Sequence, residues 1–314
     1  MSGTEQSGTI LFHSPGSHES WPRELQKALP SYNVHTSFAE VDPDDVVAAV
    51  VWNPPSGMLT SMRNLRLIQV MGAGVESLLS DQLPLGVPVA RLVDPGLTVR
   101  MSEYVLMHCL SLHRQVPDLQ RAQRAHDWTY IAPAPPSETC VGILGVGVLG
   151  SSCARILSSA GFSVVGWSRS KKTDPGFPCY SGRHELEEFK RRADIIVILL
   201  PLTDETENLV DDDFFAGVKR GAALINVGRG KHVVEDALIN ALDTGVLRHA
   251  VLDVFRTEPL PKYHSFWDHP KITVTPHNSS ATHPATALEQ VVENIKLAAA
   301  GLPPKNQVDL ERGY

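Results

Sequence analysis

The 314-residue sequence is short of cysteine, of long apolar runs and of basic charge, and each shortage excludes a class of protein. Four cysteines, Cys109, Cys140, Cys153 and Cys179, are scattered with no Cys-x-x-Cys pair and no histidine at ligand spacing. Such scatter supports neither a disulfide framework nor a metal cluster. No metal is expected, and the thiols fit a reducing compartment, with the cytoplasm as the default. The longest apolar candidate, Ile195 to Leu200, is strand-sized, far below the roughly 18 residues of a bilayer span. Met1 to Thr9 is polar and lacks the charged-then-apolar order of a signal peptide, so no membrane partner is expected. Lysine and arginine number 28 against 35 aspartate and glutamate, a formal charge of -7. Nucleic-acid binders carry a basic face, and no such partner is expected. Neither an internal repeat nor a low-complexity segment occurs.

What is present is ordinary globular material, 42% apolar and 20% charged, enough to bury a core without staples. At roughly 150 residues per domain the length fits two domains. Short apolar runs ended by Pro or Gly predict strands at Thr9 to His13, Val46 to Trp52 and Leu67 to Met71, with a helix over Trp21 to Leu29. A long helix is predicted to begin near Ser102, with Glu103 in its first turn, and to run toward Arg114. Ile131 to Pro136 holds three prolines in six residues and reads as an irregular arm. Strands are then predicted at 139–144, 163–167, 194–199, 222–226, 249–252 and 272–274. Helices such as Asp236 to Asp243 fill the gaps, and Thr282 to Gly301 closes the chain, with Pro284 in its first turn. Near-continuous apolar strands alternating with helices specify parallel sheets in an α/β fold.

The most specific motif is Gly145-Val146-Gly147-Val148-Leu149-Gly150, which follows the predicted strand Thr139 to Leu144 and opens a helical stretch. Glycine spacing alone marks any tight turn, but this strand–turn–helix context is the dinucleotide fingerprint. Gly145 permits the turn, Gly147 lets backbone approach a pyrophosphate, and Gly150 lets helix and strand pack closely. The helix N-terminus adds free N–H groups and partial positive charge. At the end of the next strand an NAD enzyme places Asp or Glu against the ribose hydroxyls. Here the segment reads Trp167-Ser168-Arg169-Ser170-Lys171-Lys172, with no carboxylate before Asp174. Ser168 and Arg169 suit a 2′-phosphate, so NADP(H) is expected, with NAD(H) as the lesser alternative.

Three further strand ends carry reactive side chains: Asn226-Val227-Gly228-Arg229-Gly230, Asp253-Val254-Phe255 followed by Glu258-Pro259, and Thr275-Pro276-His277. Each alone is compatible with a plain loop. Together, behind a nucleotide fingerprint, they suit reduction of a keto acid. An arginine holds carboxylate and carbonyl oxygens with fixed donors. A histidine gives a proton to the carbonyl oxygen, and a glutamate stabilises the imidazolium.

With these segments the chain resembles the D-isomer-specific 2-hydroxyacid dehydrogenase family, most of all its glyoxylate/hydroxypyruvate reductase A type. The resemblance also runs through Gly72-Ala73-Gly74-Val75-Glu76, Met101 to Leu106, and the ending Val308 to Tyr314. It implies two doubly wound parallel-sheet domains. A Rossmann dinucleotide-binding domain at 101–284 is inserted in a flavodoxin-like substrate domain formed by 1–100 and 285–314, with the active cleft between them. It makes Arg229 the substrate-orienting arginine, Glu258 the partner of His277, and His277 the acid/base. Asp253 becomes a contact of the nicotinamide carboxamide. Implied cofactor contacts extend over Gly145, Gly147, Val148, Leu149, Gly150, Ser168, Arg169, Ser170, Lys171, Pro201, Thr206, Val227, Gly228, Arg229, Asp253 and His277. Substrate contacts are implied at Trp52, Ala73, Gly74, Val75, Arg229 and His277. A homodimer is implied, with Trp128 in the arm that packs on a second subunit. Gly228, where the family more often has Ala or Ser, and Asn278-Ser279-Ser280 after the histidine depart from the pattern and are expected to reshape the pocket. Two other readings stay open, a cofactor-sensing co-repressor-like binding protein and a family member acting on bulkier keto acids.

Overall fold

Alternate residues of single strands go to opposite sides of a sheet, and that division is the plan of the larger half of the chain. Ile196 and Ile198 enter one buried cluster with Leu144, Val165 and Leu224. Ile195 and Val197 enter another with Val141, Ile143 and Ile225. Both faces are therefore dry, which is why these strands read as continuous apolar runs. Burial of each such side chain contributes roughly 1.5–3 kcal/mol.

The computed structural model describes residues 8–15, 20–79, 83–132, 134–173 and 175–310. The outermost residues of the polar start and of the family-like ending, 1–7 and 311–314, lie outside them, as do Pro133 and Asp174. The chain divides into two compact units. One comprises the described residues of Met1–Leu97 and Thr282–Tyr314, and the other is Thr98–Ala281.

In the first unit β1 (Thr9–His13), β2 (Asn33–His35), β3 (Val46–Val51), β4 (Leu67–Val70) and β5 (Val89–Ala90) form a parallel sheet in the order β2-β1-β3-β4-β5. That is the flavodoxin-like order. Helix α1 (Ser20–Ala28) packs here, and α2 (Glu76–Leu79) is a short turn after β4. In the second unit the strands are β6 (Cys140–Leu144), β7 (Ser163–Ser168), β8 (Cys179–Ser181), β9 (Ile195–Ile198), β10 (Ala222–Asn226), β11 (Leu247–Leu252) and β12 (Ile272–Val274). Their order is β12-β11-β10-β9-β6-β7-β8, all parallel. The order reverses between β6 and β9, the switch point at which such sheets bind nucleotides.

The remaining helices are α3 (Pro95–His113), α4 (Val116–Arg124), α5 (Val148–Ser159), α6 (Gly182–Arg192), α7 (Asp212–Ala216), α8 (Glu235–Asp243) and α9 (Pro284–Ala299). Helix α9 belongs with the first unit because its Ala287, Val291 and Ile295 complete the core around Ile10, Phe12 and Trp21. The buried amide of Asn294 donates to Gln69 Oε1 at 2.8 Å and accepts from the Lys305 N–H at 2.8 Å, which pins the chain's last segment.

Most predicted strands lie within two residues of their expected bounds. The long helix does not begin near Ser102. It starts at Pro95, because Asp94 Oδ1 accepts from the Gly96 N–H and Oδ2 from the Leu97 N–H, and proline suits the first helical position. The strands β2, β5 and β8 went unread. Each is two or three residues long at a sheet edge, so pairing rather than an apolar run defines it. Of the proline-rich arm, residues 131–132 and 134–135 are irregular, and Pro136 opens a single turn, Pro136–Glu138. Among the described residues no helix is long and apolar enough to cross a membrane, and no group of His, Cys, Asp or Glu could hold a metal ion.

Candidate active site

Gly145 has φ +106, and a Cβ there would stand 2.6 Å from the Leu199 carbonyl oxygen. The turn after β6 and the loop after β9 thus touch at the switch point, and only glycine fits between them. Gly150 lies so close to the Gly145 carbonyl that a side chain there has no room. Gly147 caps α5, yet a Cβ on it would meet nothing within 4 Å. Open space in front of the first-turn amides of Val148 and Leu149 is the shape a phosphate needs. The residues present therefore fit a dinucleotide pyrophosphate.

At the end of β7 the Ser168 hydroxyl is buried and donates to the Ser170 carbonyl at 2.7 Å, which shapes the basic turn. Arg169, half-exposed, reaches Glu205 Oε2 at 3.2 Å. Glu205 belongs to the loop after β9, together with Pro201 and Thr206. The Thr206 hydroxyl closes that loop by donating to the Pro201 carbonyl at 2.7 Å.

Arg229 follows β10 with its backbone tied down on both sides. Its N–H donates to His232 Nδ1 at 3.0 Å, and its carbonyl accepts from Asn226 Nδ2 at 3.0 Å. Its Nη1 donates to the Gly228 carbonyl at 2.7 Å. Gly230 abuts the backbone of Phe255 and Arg256 so closely that no side chain fits, which accounts for the Arg-Gly pair.

Glu258 and His277 come together, with Nδ1 and Oε2 2.7 Å apart. The other carboxylate oxygen accepts from the Phe255 N–H at 2.9 Å, which aims the pair. Burial alone would push the Glu258 carboxyl up. Hydrogen bonds from His277 and the Phe255 amide, with the charges of His277 and Arg229, outweigh it and hold the carboxyl below its ordinary value. Arg229, Glu258 and His277 are thus electrostatic neighbours. His277 has φ +51, a left-handed backbone rare for a side-chain-bearing residue. Its N–H donates to the Asp253 carbonyl at 2.8 Å and so holds that conformation.

Asp253 is wholly buried. Oδ1 accepts from the Thr275 hydroxyl at 2.6 Å and from the Asn278 N–H at 3.0 Å, and Oδ2 from the Ser279 N–H at 2.9 Å. A buried carboxylate needs such donors, and here they are the segment that carries His277. Thr275 in turn shares a 2.6 Å hydrogen bond with Tyr104 of α3.

In the first unit Gly72 lies against the ring of Trp52 with no room for a Cβ. Ala73 and Gly74 are half-buried, and the Val75 side chain is in the core, which leaves only backbone at that position for a ligand. Val227 and Gly228 are also buried. Sequence reasoning missed Asn226, His232 and Thr275. A polar residue closing an apolar strand, as Asn226 does, was the available signal.

A doubly wound sheet with a glycine turn at its switch point and an Arg–Glu–His set at neighbouring strand ends defines a dinucleotide-binding dehydrogenase. The family model described as "D-isomer specific 2-hydroxyacid dehydrogenase, NAD binding domain" matches residues 106–279. Glyoxylate/hydroxypyruvate reductase A of Serratia proteamaculans is 38% identical over 97% of this chain and 99% of its own length. A D-isomer-specific 2-hydroxyacid dehydrogenase from Xanthobacter autotrophicus Py2, solved with NADPH and MES, is 41% identical with a TM-score of 0.92, covering 98% of this chain and 100% of that one. An NADPH-dependent glyoxylate/hydroxypyruvate reductase from Sinorhizobium meliloti, solved with NADP and sulfate, is 35% identical with a TM-score of 0.89 over the same shares. The chain belongs to the D-isomer-specific 2-hydroxyacid dehydrogenase family.

Proposed function

We propose that this chain is an NADPH-dependent reductase of small 2-keto acids such as glyoxylate and hydroxypyruvate, yielding D-2-hydroxy acids. The observation that carries the reading is the 2.7 Å Glu258–His277 pair with Arg229 beside the same carboxylate. The bound cofactor supplies a hydride to the carbonyl carbon. Nδ1 of His277 is engaged by Glu258, so Nε2 is the nitrogen that delivers a proton to the carbonyl oxygen. Arg229, its backbone fixed, holds the acid with its guanidinium donors. The amides of Gly147, Val148 and Leu149 take the pyrophosphate, and Arg169 the 2′-phosphate. Trp52 and the backbone of Ala73, Gly74 and Val75 are assigned to substrate binding.

The assay is oxidation of NADPH, followed by absorbance, with a panel of glyoxylate, hydroxypyruvate, pyruvate and bulkier keto acids. Turnover with the small acids is expected, and silence across the panel with intact cofactor binding would sink the reading. We further assign the chain to a cytoplasmic homodimer. Val99, Met107 and Leu110 on α3, Leu119 on α4, and Trp128 and Tyr130 beyond it are all exposed within the second unit. Exposed apolar side chains of this kind suit contact with a second copy of the chain. Sedimentation at micromolar concentration tests it, and a monomer there would remove the assignment.

A further inference from the structure

His232 stands in none of the roles above, although it is wholly buried three residues after Arg229. Both ring nitrogens are used. Nδ1 accepts from the backbone N–H of Arg229 at 3.0 Å, and Nε2 lies 3.3 Å from the Pro201 carbonyl oxygen. An amide N–H can only donate and a carbonyl can only accept. Nδ1 is therefore bare and Nε2 carries the hydrogen, so the ring is neutral with a single tautomer. The Pro201 carbonyl also accepts from the Thr206 hydroxyl, which makes it the node of the loop after β9. That loop reaches Arg169 through Glu205. The ring fills its space: a Cβ on Gly228 would stand 2.9 Å from His232 Nδ1.

We propose that His232 is the positioning residue that holds Arg229 and the 201–206 loop in one frame, so that the end that grips the acid and the end that grips the nucleotide are set by a single imidazole. The inference rests on the reading of Arg229 as the residue that holds the acid. The two bonds have separable consequences. The bond to Arg229 fixes the guanidinium's origin and so affects keto-acid binding. The bond to Pro201 fixes the loop beside the nucleotide and so affects cofactor binding.

Two substitutions divide them. In His232→Asn the side-chain oxygen replaces Nδ1 and nothing reaches Pro201. In His232→Gln the amide nitrogen replaces Nε2 and nothing accepts from Arg229. The readouts are KM for glyoxylate at saturating NADPH and Kd for NADPH from its fluorescence. His232→Asn is expected to keep KM near the parent value and weaken Kd about tenfold, the size of one lost buried hydrogen bond. His232→Gln is expected to do the reverse, and His232→Ala to shift both. Nitrogen NMR of the parent protein adds a readout free of mutation. One imidazole, absent from both variants, is expected to show the hydrogen on Nε2 throughout the pH range of activity.

A merely structural role lowers Tm without splitting KM from Kd. That result, or a parent spectrum without such an imidazole, overturns the proposal. Arg229→Lys separates the two readings. If it leaves KM for glyoxylate intact, the role of Arg229 falls and the inference with it. If it raises KM while the His232 variants fail to split, the inference alone falls.

Discussion

Glu258 and His277 share a 2.7 Å contact with about a third of each side chain exposed, at 35% and 34%. The pair is dry enough for the carboxylate to matter and open enough for the imidazole to meet a substrate. Reduction consumes a proton from His277, so its kcat/KM should fall as pH rises, and oxidation of the hydroxy acid should rise. Glu258→Gln removes the charge that stabilises the imidazolium. In that variant kcat/KM for reduction should drop about a hundredfold, within the range of a general acid. Steady-state profiles in both directions check this, and flat profiles contradict it. The folded carboxyl titrates below its ordinary value of 4.5. The pair's contribution to stability is thus intact above that value and lost only as pH falls through the lower one.

Cofactor choice should depend on Arg169 and Glu205. Arg169→Ala removes a charge-assisted partner of a 2′-phosphate, and the ratio of NADPH to NADH efficiency should drop by about tenfold or more. Glu205→Gln releases the guanidinium from its carboxylate and removes a repelling charge, so the same ratio should rise. Kinetics with both cofactors decide it, and an unchanged ratio in both variants refutes the assignment.

Asp253→Asn replaces a carboxylate oxygen with an N–H group that faces donors. Of the donors to Asp253, the Thr275 hydroxyl and the amides of Asn278 and Ser279, at least one loses its acceptor. A cost of about 1–3 kcal/mol per unsatisfied buried group follows, measurable by denaturant titration. Because the carboxylate grips Thr275, Asn278 and Ser279 on either side of His277, kcat should fall with NADPH affinity retained. Unchanged stability would contradict the account.

His249 of β11 is buried and its value is pushed down by burial to about 4 from 6.5. The unfolded chain binds a proton that the native protein refuses within that window. Stability from this residue is full above 6.5 and declines as pH falls toward 4. Tm measured across the window should therefore fall with pH, and His249→Gln should flatten the dependence. An equal slope in the variant would rule this source out.

Much of this was legible because two strong signals coincide. Apolar runs placed β1, β3, β4 and the main strands of the second unit, since a strand dry on both faces must be apolar throughout. Gly145, Gly147 and Gly150 stood out because only a close approach or a left-handed turn requires glycine in such order. The Glu258–His277 contact was expected from chemistry and residue order. Other features lay beyond reach. The left-handed His277 is dictated by bonds to Asp253, 24 positions earlier. The grip of the Asp253 carboxylate on Thr275, Asn278 and Ser279 is a tertiary contact that residue spacing does not announce. His232 sits in a run, Gly230 to Val234, that announces nothing until the Pro201 carbonyl is brought to its ring.

The clamp on the histidine segment has an evolutionary consequence. Asp253 grips it through the main-chain N–H groups of Asn278 and Ser279, which every residue except proline supplies. Natural variation at 278–280 can thus sample new side chains without unseating the imidazole. A lineage could retune which acid it accepts in small steps while the proton donor stays where it was.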